Sequence, residues 1–192
     1  MTEESARLAA EIVAAYDFSG FRTIVDVGGG QGWLLSAILR AVPATRGVLV
    51  DLPRVIETAP ALLAERGVAD RCEVVGGSFF ESIPAGGDAY VLKWIIHDWN
   101  DTDATRILRT GPAAVPRTGR RIVFDFVLPE RIREGNPLDQ RGTLMDLNML
   151  VNVTGRERTE AEFRRLFAAA GFTLSSARST QSGVGVIEGV LN

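Results

Sequence analysis

One histidine occurs in the 192-residue chain, His97, and it lies within the run Lys93-Trp94-Ile95-Ile96-His97-Asp98-Trp99. An imidazole titrates close to neutrality, so it is the side chain best suited to take a proton from a hydroxyl at physiological pH. Well upstream stands the glycine cluster Asp26-Val27-Gly28-Gly29-Gly30-Gln31-Gly32. A turn without side chains lets a ligand approach the main chain closely, and a helix beginning there adds N–H donors. Asp51 follows about 20 residues beyond the turn, where an acid at the end of the next strand can hold both hydroxyls of an adenosine ribose. A cofactor crevice and a base near neutrality together point to group-transfer chemistry.

Those residues need a scaffold, and the rest of the chain predicts one. Leu8, Ile12 and Ala15 recur at helical spacing and Asp17-Phe18-Ser19-Gly20 breaks the pattern, so residues 1–20 read as a lead-in helix and linker. Thr23 to Val27 reads as a buried strand, and Trp33 to Leu39 beyond the glycines is spaced for a helix. The alternation continues with strand 47–51, helix 54–66, strand 72–75, strand 88–92, helix 103–114 and strand 122–126. Strands separated by helical crossovers predict an α/β, doubly wound, mostly parallel sheet covered on both faces. Residues 129–142 read as a loop and 144–151 as a helix. Thr159-Glu160-Ala161-Glu162 has the form of a capping box, Gly171 ends that helix, and 172–176 with 184–190 form an antiparallel closing pair.

Composition narrows the partners. Lys and Arg number 21 against 24 Asp and Glu, for a net charge of −3, and the basic residues are scattered among acids rather than gathered into a stripe. That argues against nucleic acid or an anionic membrane as partner. Cys72 is alone, which excludes a disulfide framework and a multi-cysteine metal site, and it reads as a buried, inert thiol. No apolar run reaches the roughly 20 residues of a membrane span, and the opening Met1-Thr2-Glu3-Glu4 lacks a basic signal region, so a cytoplasmic protein is expected.

The glycine turn alone does not choose between a nicotinamide dinucleotide and S-adenosylmethionine. Its glycines crowd together, however, and Trp33 stands where G-x-G-x-x-G would place the last glycine, which points away from a pyrophosphate-binding turn. Five blocks in order carry a more specific signal: Asp26 to Gly32, Val50-Asp51-Leu52-Pro53, Gly76-Gly77-Ser78-Phe79-Phe80, Lys93 to Trp99, and Gly155-Arg156-Glu157-Arg158-Thr159. With them the chain resembles, over essentially its whole length, the S-adenosylmethionine-dependent small-molecule O-methyltransferases. That family includes plant caffeate-type enzymes and bacterial enzymes that tailor aromatic polyketides in antibiotic biosynthesis.

The resemblance implies a Rossmann-like methyltransferase fold and S-adenosylmethionine as cofactor. It implies that Asp26, Gly28, Gly29 and Gly30 shape the methionine end of the site, that Asp51 and Leu52 lie at the ribose, that Ser78 and Phe79 flank the adenine, and that Lys93 belongs to the same site. The family usually has an acid at the Ser78 position. His97 is implied as general base, with Asp125 and Glu157 as acids that orient its ring; the plant-type enzymes carry a glutamate where Asp125 stands, one methylene longer. No metal is required, because the sulfonium is already a leaving group. An ordinary phenol gives its proton to an ordinary imidazole uphill by ~3.5 units, roughly 5 kcal/mol, so transfer concerted with attack is favoured over prior deprotonation.

The acceptor implied is an aromatic or polyketide-like hydroxyl. Family members also carry an N-terminal, winged-helix-like domain that forms the dimer and closes part of the acceptor pocket. Residues 21–192 correspond to the catalytic domain, Met1 to Ser5 resemble the segment that joins the two, and the dimerisation domain is not in this sequence. An apolar patch that such a domain covers is therefore expected. Two other readings stay open at this level: a cofactor-binding module that works with a separate helical partner, and a relative that uses the same pocket for decarboxylation or hydroxylation.

Overall fold

The computed structural model describes residues 2–110 and 119–192. They fall into two compact units, one running to Leu92 and the other made of Lys93–Arg109 with Arg120–Asn192. The sheet has seven strands in the order Cys72–Gly76, Arg46–Asp51, Thr23–Val27, Ala89–Lys93, Arg120–Phe124, Gly185–Leu191 and Phe172–Ser179, mostly parallel, with the antiparallel strands at one edge.

In the first unit, α1 (Thr2–Ala15) leads into β1 (Thr23–Val27), α2 (Trp33–Ala41), β2 (Arg46–Asp51), two short helices α3 (Pro53–Ile56) and α4 (Ala59–Glu65), then β3 (Cys72–Gly76) and β4 (Ala89–Lys93). β1 pairs in parallel with both β2 and β4, so the strand order changes direction at β1. Ile24, Val25, Val27 and Ala89 to Leu92 are buried, as expected for strands covered on both faces. The single helix predicted over 54–66 is two helices, because Pro60 enters the first turn of α4 and its missing N–H suits a new start rather than a continuation. Cys72, expected to be buried, is only half-buried because β3 is the edge strand of the sheet, and desolvation pushes its thiol up to about 12, which disfavours the reactive thiolate.

The second unit holds α5 (Asp101–Arg109), β5 (Arg120–Phe124), β6 (Val127–Leu128), α6 (Pro137–Asn152), β7 (Arg158–Thr159), α7 (Glu160–Ala169) and the antiparallel pair β8 (Phe172–Ser179) and β9 (Gly185–Leu191). α5 is seen as far as Arg109, and the part of the predicted helix over 111–114 lies outside the described residues. α7 begins at the predicted capping box, with Glu162 accepting from the Thr159 N–H at 2.9 Å and Thr159 Oγ1 accepting from the Glu162 N–H at 3.3 Å. It buries Phe163, Leu166 and Phe167, spaced three and four apart, at about 2–3 kcal/mol for each large side chain removed from water.

Two features differ from the sequence expectation. α6 starts at Pro137, within the predicted loop, because the Asn136 side chain accepts from the N–H groups of Leu138 and Asp139 and proline is preorganised for a first helical position. β6 and β7 form a separate two-stranded parallel ladder, Val127 opposite Arg158 and Leu128 opposite Thr159. Two residues per strand leave no periodicity to read, yet this ladder joins the segment after Asp125 to the segment after Glu157.

Candidate active site

In the first unit the site is built at the carboxyl ends of β1, β2 and β3. Val27 ends β1, and the chain turns through Gly28 to Gly32, whose first amides return to the end of β2: the Val50 carbonyl accepts from Gly28 N–H at 2.8 Å and from Gly29 N–H at 3.3 Å. A Cβ on Gly29 would fall 2.5 Å from the Leu49 side chain and 2.6 Å from the Asp26 carboxyl, so glycine is needed for close approach. Gly30 has φ +61°, and a Cβ there would meet nothing within 4 Å. The turn therefore presents bare backbone to open space, above a buried Asp26.

Asp51 ends β2 with its carboxylate in this turn. Oδ2 accepts from Gly30 N–H at 2.9 Å and Oδ1 accepts from its neighbour Leu52 N–H at 2.7 Å. A carboxylate has about four acceptor positions, so each oxygen keeps capacity for one more donor. β3 ends beside this edge, tied by Gly77 N–H to the Asp51 carbonyl at 3.0 Å. Ser78 and Phe79 follow it half-buried, with the Ser78 hydroxyl accepting from the Phe80 N–H at 3.3 Å. Asp26, Gly28, Gly29, Gly30, Asp51, Leu52, Ser78 and Phe79 thus gather along one edge of one unit.

The second unit carries His97. Lys93 ends β4 and lays its ammonium over the Trp94 ring at 4.5 Å. Trp94 adopts φ 56°, the left-handed region a bulky residue rarely enters, and its amide is held by the Phe124 carbonyl at 3.0 Å. After this reversal a short 3₁₀ turn, Ile96–Asp98, presents His97 in a nearly closed environment, 5% exposed.

Four groups fix that imidazole. Glu157 Oε1 lies 2.7 Å from Nδ1, and a carboxylate there selects the tautomer with the proton on Nδ1 and the lone pair on Nε2. Asp125 Oδ2 accepts from the His97 main-chain N–H at 3.1 Å. Asp125 is thus brought to His97, but the shorter side chain holds the backbone, where the resemblance implied a hold on the ring. Asp98 places Oδ1 3.6 Å from Nε2, within ion-pair reach though too long for a hydrogen bond. Arg158, completely buried, reaches the carbonyls on either side of the turn.

Burial of the imidazole opposes its charged form, but the carboxylates of Asp125, Glu157 and Asp98 outweigh this and hold its pKa at about 9. Burial likewise pushes Glu157 up, to about 7, against the pull of His97. The physical content is a stronger base than a free histidine, held by a buried carboxylate.

Gly155, Asp146 and Arg158 were not singled out as site residues by sequence, although the first and last stand inside a quoted block. The Asp146 carboxylate accepts from Glu157 N–H at 2.9 Å and so aligns the acid that holds the ring. A Cβ on Gly155 would lie 1.9 Å from the His97 carbonyl oxygen, so the segment that leads through Glu157 into β7 is laid directly on the His97 turn. Met149 is buried in the core, whereas Leu150 faces solvent at 72% exposure.

The O-methyltransferase domain model matches residues 1–173. The chain is 46% identical over 182 residues to a phenazine O-methyltransferase of Lysobacter antibioticus, covering 95% of this chain and 52% of that protein. It is 44% identical over 179 residues to a mitomycin biosynthesis 6-O-methyltransferase of Streptomyces lavendulae, covering 93% and 49%. Among solved structures it superposes, with TM-score 0.82 and 36% identity over 96% of this chain and 52% of that one, on an O-methyltransferase from neocarzinostatin biosynthesis in complex with S-adenosylmethionine and 2-hydroxy-5-methyl naphthoic acid. The chain spans about half the length of these relatives. With the family model covering most of its residues, this chain belongs to the O-methyltransferase domain family.

Proposed function

We propose that this chain supplies the cofactor site and the base of an S-adenosylmethionine-dependent O-methyltransferase acting on a hydroxyl of an aromatic or polyketide-like small molecule. The observation that carries this reading is the His97–Glu157 pair at 2.7 Å, formed by the sole histidine of a family member. The first unit fits the cofactor: bare backbone at Gly30 leaves room for a ligand, and Asp51 keeps one acceptor position per oxygen for two ribose hydroxyls. The methionine end would lie against Gly28 to Gly30 above Asp26, the ribose at Asp51 and Leu52, and the adenine between Ser78 and Phe79.

When bound, the cofactor supplies an electrophilic methyl on a sulfonium that leaves as a neutral thioether. The protein's task is to hold the acceptor oxygen and take its proton. Nε2 of His97 accepts that proton, the proton on Nδ1 stays with Glu157, and the resulting imidazolium is stabilised by Glu157, Asp125 and Asp98. A base raised to about 9 narrows the gap to a phenol near 10 to roughly 1 unit, about 1.4 kcal/mol, compared with roughly 5 kcal/mol for an ordinary histidine. Asp125 keeps the turn in place through the His97 amide.

The relatives' additional length is the basis for a second element of the proposal: a helical N-terminal domain, in the same polypeptide or a partner chain, completes the acceptor pocket and dimerises. The exposed face of α6 supports it, since Leu144, Leu147, Leu150 and Val151 are 54 to 80% exposed on one helix. No helix among the described residues is long and apolar enough to cross a membrane, and we place the protein in the cytoplasm.

Transfer of a labelled methyl group from S-adenosylmethionine to a panel of hydroxylated naphthoates, phenazines and simple phenols tests the reading, with and without an N-terminal half supplied from a relative. Label in an ether-linked methyl, abolished in His97→Gln, is expected. Binding of S-adenosylhomocysteine with no transfer under either condition would replace it by a non-catalytic cofactor-binding module.

A further inference from the structure

Arg158, like Arg121 a fully buried arginine of the second unit, lies beside the base, and nothing in the proton transfer just described requires a cation there. Its guanidinium is saturated by a particular set of partners. Nη1 donates to the Ile96 carbonyl at 3.1 Å and to the Arg156 carbonyl at 3.3 Å, Nη2 donates to the Trp99 carbonyl at 2.8 Å, and Nε donates to Asp101 Oδ1 at 2.9 Å. Ile96 and Trp99 bracket His97 and Asp98, so the planar fork grips the 3₁₀ turn at both ends. Within that turn the Trp99 N–H to Ile96 carbonyl bond is long, 3.3 Å, and the hydrogen-bond geometry of a 3₁₀ turn is poorer than that of an α-helix, so outside contacts add to its hold.

The residue just before β7, Glu157, holds the ring. The β6–β7 ladder sets Val127 opposite Arg158, which ties this strand to the segment carrying Asp125. Ring, amide and flanking carbonyls of one histidine are therefore gripped by three side chains carried on two segments that the ladder locks together.

We propose that Arg158 is a positioning residue for the transfer reaction: by bridging the Ile96 and Trp99 carbonyls it fixes the His97 turn so that Nδ1 stays on Glu157 and Nε2 stays where an acceptor hydroxyl must approach. The inference rests on the base role assigned to His97. Lysine preserves the charge and loses the fork, so it separates geometry from electrostatics.

The test compares Arg158→Lys, Asp101→Asn and, as a surface control on α7, Arg164→Lys. Because the chain has one histidine, the Nδ1 proton of its imidazole is a unique NMR signal, readable without turnover. Arg158→Lys should lower kcat by about 10–100-fold with KM and S-adenosylhomocysteine affinity within about 3-fold of the parent, and should speed solvent exchange of the Nδ1 proton at least about 10-fold. Asp101→Asn, which removes only the outer carboxylate, should do the same to a smaller degree, and Arg164→Lys should do neither. An unchanged kcat, or an Nδ1 proton as protected in Arg158→Lys as in the parent, would overturn the proposal. Should Arg158→Lys not fold, full protection in Asp101→Asn would overturn it equally. If the parent transfers no methyl group, the proposed function fails, whereas the exchange measurement still decides the role of Arg158 in holding His97.

Discussion

The two units solve opposite physical problems. The glycine edge of the first unit, the proposed cofactor site, is built of backbone: amides of Gly30 and Leu52 converge on Asp51, and side chains are absent at Gly29 and Gly30. The His97 site of the second unit is built by side chains that grip one turn, with an imidazole, three carboxylates and a buried guanidinium brought together from residues as far as about 60 apart in the chain. A backbone site tolerates many neighbours but no added atoms; a buried charge cluster tolerates neither a lost partner nor a shifted one. Changes in the first should therefore appear as cofactor affinity, and changes in the second as rate.

Substitutions can break that division or sharpen it. His97→Gln removes the base and should lower methyl transfer by about 10²–10⁴-fold while S-adenosylhomocysteine affinity by calorimetry stays within about 2-fold; a large loss of affinity would dissolve the distinction between the units. Gly155→Ala puts a methyl group where the His97 carbonyl already lies, so backbone must move, and a fall in kcat of about 10²-fold with the cofactor constant unchanged is expected in stopped or continuous transfer assays.

Glu157→Gln should act on both rate and pH. An anionic neighbour stabilises the imidazolium, so replacing it by a neutral amide lowers the His97 pKa. The base is active when neutral, so the parent's kcat/KM should climb with pH through a limb near 9, and the variant's limb should move down toward the ordinary histidine range, with a lower plateau. A limb that moved up, or stayed, would mean that Glu157 does not set this titration.

Smaller still is the effect expected of Asp51→Asn, which keeps shape and loses charge. Each hydrogen bond to a charged group contributes about 1.5–3 kcal/mol, so S-adenosylhomocysteine should bind about 10–100-fold more weakly, with kcat at saturation within about 3-fold of the parent. A kcat loss exceeding the affinity loss would place Asp51 in the chemistry and contradict the comparison.

The two regions were also unequally legible in the sequence. Strand, glycine turn, helix and a spaced acid occur within one stretch of chain, and local backbone requirements write themselves as local residue choices. Asp51 was accordingly found at the turn it serves. His97 carries no local pattern of its own: its partners Asp125 and Glu157 lie on separate elements, and only the block resemblance pointed to them. Even then the resemblance gave identities without geometry, so that Asp125 turned out to hold the His97 amide and Asp98 to approach Nε2. Arg158 and Gly155 were invisible for a different reason. An arginine between Glu157 and Thr159 reads as a surface charge, and a glycine after Thr154 reads as a turn; only the packing of the 155–159 segment on the His97 turn shows one to be buried and the other to be sterically required. The Asn136-Pro137 start of α6 was, by contrast, present as a capping signal and was overshadowed by the charges and glycines around it.

The central claim is that His97 is a base strengthened by its buried carboxylate partner. The most direct test follows the carbon and proton signals of the sole imidazole by NMR as pH is raised, in the intact chain. The account predicts titration well above the ordinary histidine value, toward about 9, coincident with the rising limb of the transfer rate. Titration at or below the ordinary value, or a transfer rate that ignores it, would contradict the account.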